Sequence, residues 1–231
     1  MRYGLLLLAW LSGALWADEA QLSRALEVQL PELIEDGAQV PLRIRFAGAL
    51  EPGEYLQQVQ VLAPKNPEPE VVSFRFFQPV VPLGLATRIR LSQSQTVRVE
   101  AYSNQGRVWQ TDAGVRISES GCLTGTALTG TETEMRSPRV ALPPNGEAGE
   151  VRAQVRHPME SGLRNGIRDL SITPSRVTDL QLLRGSGLLL EARFHSGMAA
   201  NPYVSIWLED TRDLRFVWRD DRGRSLSLPG E

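Results

Sequence analysis

The chain has 231 residues, of which 42% are hydrophobic and 23% are charged, so it can build one large or two small globular cores. Its formal net charge of −2 gives no electrostatic basis for binding nucleic acid or an anionic membrane, and we exclude both as partners. A single cysteine also excludes an internal disulfide framework.

Residues 1–17 have the pattern of a secretory signal peptide. Arg2 supplies a short basic region, an apolar run extends from Leu5 to Leu11, and Ala17 is a small residue in front of two acidic ones. The apolar run is too short to remain in a bilayer as a spanning anchor. We therefore predict cleavage after Ala17 and export of the mature chain.

The next segment, residues 20–34, predicts a short N-terminal helix at the start of the first domain, residues 18–117. Its apolar residues lie near helical spacing, and one proline interrupts them. These residues are Leu22, Leu26, Leu30, Leu33 and Ile34, with Pro31 as the interruption.

Residues 37–117 change to a hydrophobic period of two, which is typical of half-buried strands. We interpret them as about seven short strands separated by turn residues, an arrangement that favours an antiparallel β-sandwich. The alternating residues are Val40, Leu42, Ile44 and Phe46; Val59 and Val61; Val72, Phe74 and Phe76; Ile89 and Leu91; Val97, Val99 and Ala101; Val108 and Trp109; Val115 and Ile117.

Residues 118–149 show no periodicity and are rich in Gly, Thr, Ser and Pro, which predicts a flexible linker. The period of two returns in residues 150–231 and predicts a second small sandwich, so the chain is expected to be all-β. The string Asp220-Asp221-Arg222-Gly223 predicts a solvated turn before the last strand. The alternating residues include Val151, Ala153, Val155, Leu180, Leu182, Leu188, Leu190, Val204, Ile206, Leu214, Phe216 and Trp218.

Cys122 is the only cysteine and lies near the start of the predicted linker, between Gly121 and Gly125. These glycines favour a flexible arm. Cysteines in general are more often small buried hydrophobes, but a segment of Thr, Gly, Ser and Glu offers no core to bury one. An odd cysteine in an exported chain implies an intermolecular bond, a covalent adduct or a reactive free thiol. We interpret Cys122 as a covalent attachment point.

Other chemistry has little support in the sequence. His157 and His195 are the only histidines, and together with one cysteine they fit no usual zinc spacing, so we expect no metal and no other cofactor. A nucleophilic cysteine enzyme would need a rigid scaffold around the thiol, which a flexible segment does not supply. No phosphate-binding glycine loop is present. The chain is therefore predicted not to be an enzyme.

Two ordered sets of short strings resemble the thiosulfate-oxidation (Sox) carrier family, with its Y and Z subunits fused in one chain. The Y-like part covers about residues 37–125 and the Z-like part covers residues 150–231. The first set is Val40-Pro41, Lys65-Asn66-Pro67-Glu68-Pro69, Thr87-Arg88-Ile89-Arg90, Gln93-Ser94, residues 106–109 and Gly121-Cys122. The second set is His157-Pro158-Met159-Glu160-Ser161-Gly162, Asn201-Pro202-Tyr203 and residues 218–225.

The resemblance implies two immunoglobulin-like sandwiches packed on one another in the periplasm, with Cys122 carrying sulfur intermediates. In this family a haem-containing cytochrome joins thiosulfate oxidatively to the thiol, and a hydrolase releases sulfate, so both are implied partners. The two-subunit carrier ends in a glycine-rich tail with its cysteine near the terminus, whereas Cys122 is internal. Fused carriers of this type are associated with quinoprotein dehydrogenases, which makes such a dehydrogenase an alternative partner.

Two functions therefore stay open. The first is a sulfur carrier that uses Cys122. The second is a non-catalytic interaction module that docks on a periplasmic quinoprotein dehydrogenase, with Cys122 incidental or in an intermolecular disulfide. The segment His157, Pro158, Met159 and Glu160 is interpreted as either a structural loop or an interface loop.

Overall fold

The computed structural model describes residues 25–118, 134–164, 167–168 and 173–229. The predicted signal peptide and the segment with Gly121, Cys122 and Gly125 lie outside the described residues. The strands are β1 (Leu26–Gln29), β2 (Leu33–Ile34), β3 (Val40–Phe46), β4 (Leu56–Leu62), β5 (Glu70–Phe76), β6 (Leu83–Ile89), β7 (Gln95–Ser103), β8 (Val108–Ile117), β9 (Arg136–Ala141), β10 (Gly149–Arg156), β11 (Leu163–Arg164), β12 (Ile167–Arg168), β13 (Val177–Arg184), β14 (Gly187–Phe194), β15 (Tyr203–Leu208), β16 (Leu214–Asp220) and β17 (Ser225–Pro229). Short 3-10 turns occur at Gly37–Gln39 and Pro144–Gly146.

The strands form two large sheets, which confirms the all-β prediction. The six-stranded sheet has the order β1-β3-β6-β15-β10-β9, and the nine-stranded sheet has the order β17-β16-β13-β14-β5-β4-β7-β8-β2. A separate small pair joins β11 and β12. In the described part of the chain, every strand pair is antiparallel except β2 with β8. No helix in that part is long and apolar enough to cross a bilayer.

The hydrophobic core lies between the two large sheets. In β3, buried and exposed residues alternate without a break, so Val40 and Phe46 face the core while Arg43 and Arg45 face outward. The Phe46 ring packs edge-on against Trp109 of the nine-stranded sheet, with ring centroids 4.8 Å apart. Burying a side chain of this size stabilises the fold by roughly 1.5–3 kcal/mol.

Both large sheets continue from the first sandwich into the second. In the six-stranded sheet β6 pairs with β15, which places Leu85 opposite Ile206. In the nine-stranded sheet β5 pairs with β14, which places Phe74 opposite Ala192. Backbone ladders therefore join the two sandwiches, in addition to the covalent connection between them.

The predicted N-terminal helix is wrong from Leu26 onward. Residues Leu26–Gln29 form strand β1, which pairs with β3 in the register Leu26 to Phe46, and Leu33–Ile34 form strand β2. The edge of β3 offers unpaired backbone groups that this segment can bond, and that pairing outweighs the local helical spacing. Residues 20–24 of the predicted helix lie outside the described residues.

The predicted linker is wrong for residues 136–141, which form the edge strand β9 against β10. No side chain of β9 is fully buried, and for that reason its sequence shows no hydrophobic period.

Two strand boundaries in the first sandwich also differ from the prediction. The two short strands predicted between Val108 and Ile117 are one strand, because Thr111 and Ala113 continue the inward face between Trp109 and Val115.

The strand predicted around Ile89 and Leu91 ends at Ile89 and begins at Leu83. Leu91 lies beyond the strand but is still buried, and its backbone N–H donates to the carbonyl oxygen of Gly37 at 2.8 Å. Because Leu91 is buried like the inward residues of the strand, the sequence placed the end of the strand too late.

Candidate functional site

The segment that contains Cys122 leaves the described fold at the end of β8. The Ile117 N–H donates to Ser94 Oγ at 2.8 Å, and the Ser118 N–H donates to the carbonyl oxygen of Ile34 at 3.0 Å. Ile34 belongs to β2, the parallel edge strand beside β8. A side-chain hydrogen bond and a neighbouring strand therefore hold the last residues before the segment, which we call the outgoing end.

The described chain begins again at Glu134, which we call the return end. Glu134 Oε1 lies 3.0 Å from Arg224 Nη1, and the neighbouring Met135 is buried. Strand β9 follows directly and belongs to the six-stranded sheet, whereas β8 belongs to the nine-stranded sheet. Residues 119–133 therefore connect the two sheets as well as the two sandwiches.

Asn66 organises the loops beside the outgoing end. Its buried side-chain oxygen Oδ1 accepts hydrogen bonds from the Ser92 N–H at 3.0 Å, from Ser92 Oγ at 3.1 Å and from Gln95 Nε2 at 3.0 Å. Its Nδ2 donates to the carbonyl oxygen of Arg90 at 2.8 Å. Gln95 in turn accepts a hydrogen bond from the Lys65 N–H at 2.9 Å. The loop segments that begin at Lys65 and at Gln93 thus form one hydrogen-bond network. Ser94 lies in this network and accepts the hydrogen bond from the Ile117 N–H.

Arg90 extends this network into the second sandwich. Its backbone N–H donates to the carbonyl oxygen of Gly197 at 2.6 Å, and its Nη1 donates to the carbonyl oxygen of Met159 at 3.3 Å. Neither Arg90 nor Asn66 stands out in the sequence as a residue with a role of its own. Both occur in the strings that carry the family resemblance, which was the one signal that could have selected them.

The His157 loop is mainly structural. His157 is 2% exposed, and its Nδ1 accepts a hydrogen bond from the Met159 N–H at 3.0 Å, which places the ring proton on Nε2, 3.5 Å from Ser175 Oγ. Met159 is also buried, with φ of 54°, and its sulfur accepts the Val177 N–H at 3.3 Å. Of the four predicted interface residues, only Pro158 and Glu160 keep partly exposed surface.

This loop lies beside the return end. A cavity of about 300 Å³ is lined by residues of both, together with the start of β9 and the end of β10. Its polar and charged lining residues are Glu134, Arg136, Ser137, Arg156, His157 and Asn201. The structure therefore brings the predicted interface loop close to one end of the cysteine segment, while Cys122 itself lies outside the described residues.

His195 lies elsewhere, in a half-buried position next to Glu70. Burial lowers its pKa, and the Glu70 carboxylate, 3.5 Å away, opposes that effect. Among the described residues no group of three or more His, Cys, Asp or Glu side chains is placed to hold a metal ion.

The turn predicted at residues 220–223 is exposed at its last three residues, but Asp220 is buried. It is 4% exposed, and its carboxylate accepts hydrogen bonds from the Arg222 N–H, the Arg224 N–H and Arg224 Nε at 2.7–3.0 Å. Burial opposes ionisation, but the Arg224 and Arg222 hydrogen bonds together lower the pKa of Asp220. The turn is therefore organised around a buried carboxylate, which also orients Arg224 toward Glu134 at the return end.

Comparison with protein families accounts for most of the chain. A family model for "Sulfur oxidation protein SoxY" matches residues 13–122, and a model for "Sulphur oxidation protein SoxZ" matches residues 136–228. The chain is a fused SoxY–SoxZ-like protein. The SoxY match ends at Cys122, and the SoxZ match begins at the first residue of β9.

Membership of these families links the protein to sulfur oxidation. SoxY and SoxZ proteins are non-catalytic carrier and interaction proteins, which agrees with the prediction that the chain is not an enzyme. Their partners are found among sulfur-oxidation proteins, and Sox proteins are generally periplasmic.

Two further comparisons add little to this assignment. A search among curated proteins found no match. Among solved structures, superoxide reductase (neelaredoxin) from Ignicoccus hospitalis is similar with 13% identity and a TM-score of 0.34, covering 41% of this chain and 80% of that chain. A single-substitution variant of the same reductase gives 13% identity and a TM-score of 0.36, covering 44% and 86%.

Proposed function

We propose that the chain is a periplasmic carrier that holds oxidised-sulfur intermediates covalently on Cys122 and presents them to partner enzymes. The observation that carries this proposal is the SoxY match, which extends to the only cysteine of the chain. The contacts of the outgoing and return ends add support, because they anchor both sides of the segment in which that cysteine lies.

The proposed loading step is an oxidation of the Cys122 thiol. The cysteine sulfur forms a bond to the outer sulfur of thiosulfate, one proton leaves the thiol, and two electrons pass to a haem-containing partner. A hydrolase then uses water to release sulfate and leaves a persulfide on Cys122. An unperturbed thiol has a pKa of about 8.5, so the partner rather than the carrier is expected to supply the charges that stabilise the thiolate.

The anchoring limits how Cys122 can be delivered. Cys122 follows Ser118 by four residues, so an extended chain carries it no more than about 14 Å from the outgoing end. Because the segment is attached at both ends, a partner has to accept a loop instead of a free tail. The partly exposed Pro158, which lines the cavity beside the return end, and the partly exposed Glu160 of the same loop are proposed to contact that partner.

Intact mass spectrometry tests the carrier function. The mature protein is incubated with thiosulfate and a haem-containing thiosulfate-oxidising partner, with Cys122→Ser and Ser120→Ala variants in parallel. We expect wild type and Ser120→Ala to gain the mass of one S2O3 group in their neutral masses, and Cys122→Ser to gain nothing. Reduction with dithiothreitol should remove the added mass.

A mass gain that persists in Cys122→Ser would contradict the proposal. Absence of any adduct on wild type, together with binding to a quinoprotein dehydrogenase that Cys122→Ser preserves, would favour the interaction module instead.

Intact mass also tests the predicted signal peptide. Protein recovered from the periplasm of an expressing cell should begin at Asp18. A mass that includes residues 1–17 would overturn the predicted cleavage.

A further inference from the structure

The outer face of the six-stranded sheet has an open depression, which we call the seam trough. Its volume is about 600 Å³. It lies across the pairing of β6 with β15, where the two sandwiches join, so residues of both sandwiches build it. The residues that matter here are Arg43 and Arg45 of β3, Gly84 and Ala86 of β6, and Ser205 and Trp207 of β15.

The depth of the trough follows from side-chain size along one row of the sheet. Arg45 lies opposite Gly84, and a Cβ atom added to Gly84 would lie 3.5 Å from Trp207 Cβ. The central strand therefore contributes only a hydrogen atom at Gly84 and a methyl group at Ala86. Because outward side chains stand perpendicular to a sheet, the guanidinium groups and the indole rise on either side of this floor.

The arginines of the trough differ from those on the opposite side of the molecule. Arg43 and Arg45 are exposed, and no described carboxylate lies within ion-pair distance of either. On the outer face of the nine-stranded sheet, Arg98 pairs with Asp112 at 3.0 Å and Arg219 pairs with Asp179 at 3.1 Å. The trough thus presents two guanidinium groups that no described carboxylate engages in an ion pair.

Two carboxylates stand at the margins of the trough. Glu150 accepts a hydrogen bond from Ser205 and a charged one from Arg152, and these bonds hold its pKa below its usual range. Arg152 therefore pairs with Glu150, and the charge of Arg43 also acts on this carboxylate. Glu27 lies opposite Arg45 in the register of β1 and β3. Three guanidinium groups in or beside the trough therefore face two carboxylates, which leaves an excess of one positive charge.

We propose that the seam trough is a binding site for a small organic anion, namely a carboxylate or sulfonate that carries an apolar body. Guanidinium groups bind such anions through paired, charge-assisted hydrogen bonds. The indole of Trp207 and the bare floor at Gly84 and Ala86 provide the surface for the apolar body. Small-molecule sites in proteins typically have volumes of about 300–1,000 Å³, a range that includes this depression.

Anilinonaphthalene sulfonate is a suitable probe, because it joins a sulfonate to an aromatic body and fluoresces when bound. We expect one saturable site on the folded protein. Phenylacetate should displace the probe, and the uncharged phenylacetamide should do so at least about tenfold less well. Cys122→Ser should bind the probe like wild type, so this result is independent of the carrier function.

The double variant Arg43→Gln/Arg45→Gln should weaken probe binding by at least about tenfold. The matched control, Arg98→Gln/Arg219→Gln, removes the same charge from the other face and should change binding less than about twofold. Gly84→Val, which fills the floor, should also abolish the site, and its thermal unfolding is recorded to show that it folds. Equal losses in both double variants, unsaturable binding, or equal competition by the amide would overturn the proposal.

Discussion

Replacing Glu54 by glutamine is expected to lower the free energy of unfolding by about 3 kcal/mol at neutral pH. The Glu54 side chain is 0% exposed, and its carboxylate accepts hydrogen bonds from Arg107 Nε at 2.8 Å and from the Glu51 N–H at 2.9 Å. The Arg107 guanidinium lies 4.8 Å from the centre of the Trp109 ring, which packs on Phe46 of the other sheet. The substitution therefore disturbs an ion pair that covers the aromatic contact between the sheets.

The size of this effect should depend on pH. The hydrogen bond from Arg107 is the main reason that the pKa of Glu54 falls from 4.5 to about 2, against the opposing effect of burial. A carboxyl with a depressed folded pKa contributes stability above its unfolded pKa and loses that contribution as the pH falls through the folded pKa. The advantage of wild type over Glu54→Gln should shrink as the pH falls from 4.5 to about 2. Urea unfolding of both proteins across this range measures it.

Asp112→Asn is the matched control for this measurement. It breaks the pair of Asp112 with Arg98, whose side chains are 39% and 42% exposed, and it should cost less than about 1 kcal/mol. An equal cost for the two variants, or an advantage of wild type that does not change with pH, would show that the buried pair lacks the assigned role.

The strands that bury one face could be predicted from the sequence, and those that bury neither face could not. In β3 and β7 every second residue is buried, and this alternation is visible in the sequence. In β9 the side chains are exposed or half-buried, so burial leaves no pattern to find. The helix predicted around Leu26 failed for another reason, since its pairing partner β3 follows only after an intervening turn and no local signal reveals it.

The resemblance implied that the two sandwiches pack on one another, but the strand pairings that join them could not be predicted from the sequence. The pairing of β5 with β14 places Val72 opposite Phe194, residues that are far apart along the chain. Both strands were predicted, but their alternating patterns are equally consistent with other neighbours in a sheet. The seam trough could not be predicted for the same reason, because its six central residues come from three strands whose order in the sheet the sequence does not reveal.

At the candidate site, the sequence pointed to Cys122 but gave no sign of the contacts that hold the two ends of its segment. Cys122 could be selected from the sequence alone, because it is the only cysteine of the chain. The contacts at the outgoing end depend on Ser94 and Ile34 meeting the end of β8 from two different loops. His157 was predicted as an interface residue or a structural one, and its burial and hydrogen bonds to Met159 and Asn201 support the structural role.

Replacing Asn66 by alanine is expected to lower the free energy of unfolding by about 3 kcal/mol. Three hydrogen bonds to Oδ1 and one from Nδ2 would be lost together, leaving the Ser92 N–H, the Gln95 amide and the Arg90 carbonyl oxygen without this partner in a largely buried site. Each buried polar group left unsatisfied costs roughly 1–3 kcal/mol, and the losses at one site are not additive. Urea unfolding monitored by tryptophan fluorescence gives the value.

Asn104→Ala provides the matched control, because Asn104 also bonds backbone through both ends of its amide but is exposed. Its Oδ1 accepts the Tyr55 N–H at 2.9 Å, and its Nδ2 donates to the carbonyl oxygen of Gly53 at 3.1 Å. Water can replace these bonds, so the cost should stay near about 1 kcal/mol. Since Asn66 also holds the loop of Ser94 against the outgoing end, hydrogen exchange of the Ile117 amide should accelerate in Asn66→Ala and not in Asn104→Ala. Equal exchange rates in the two variants would separate Asn66 from the support of the cysteine segment and leave it a purely local stabiliser.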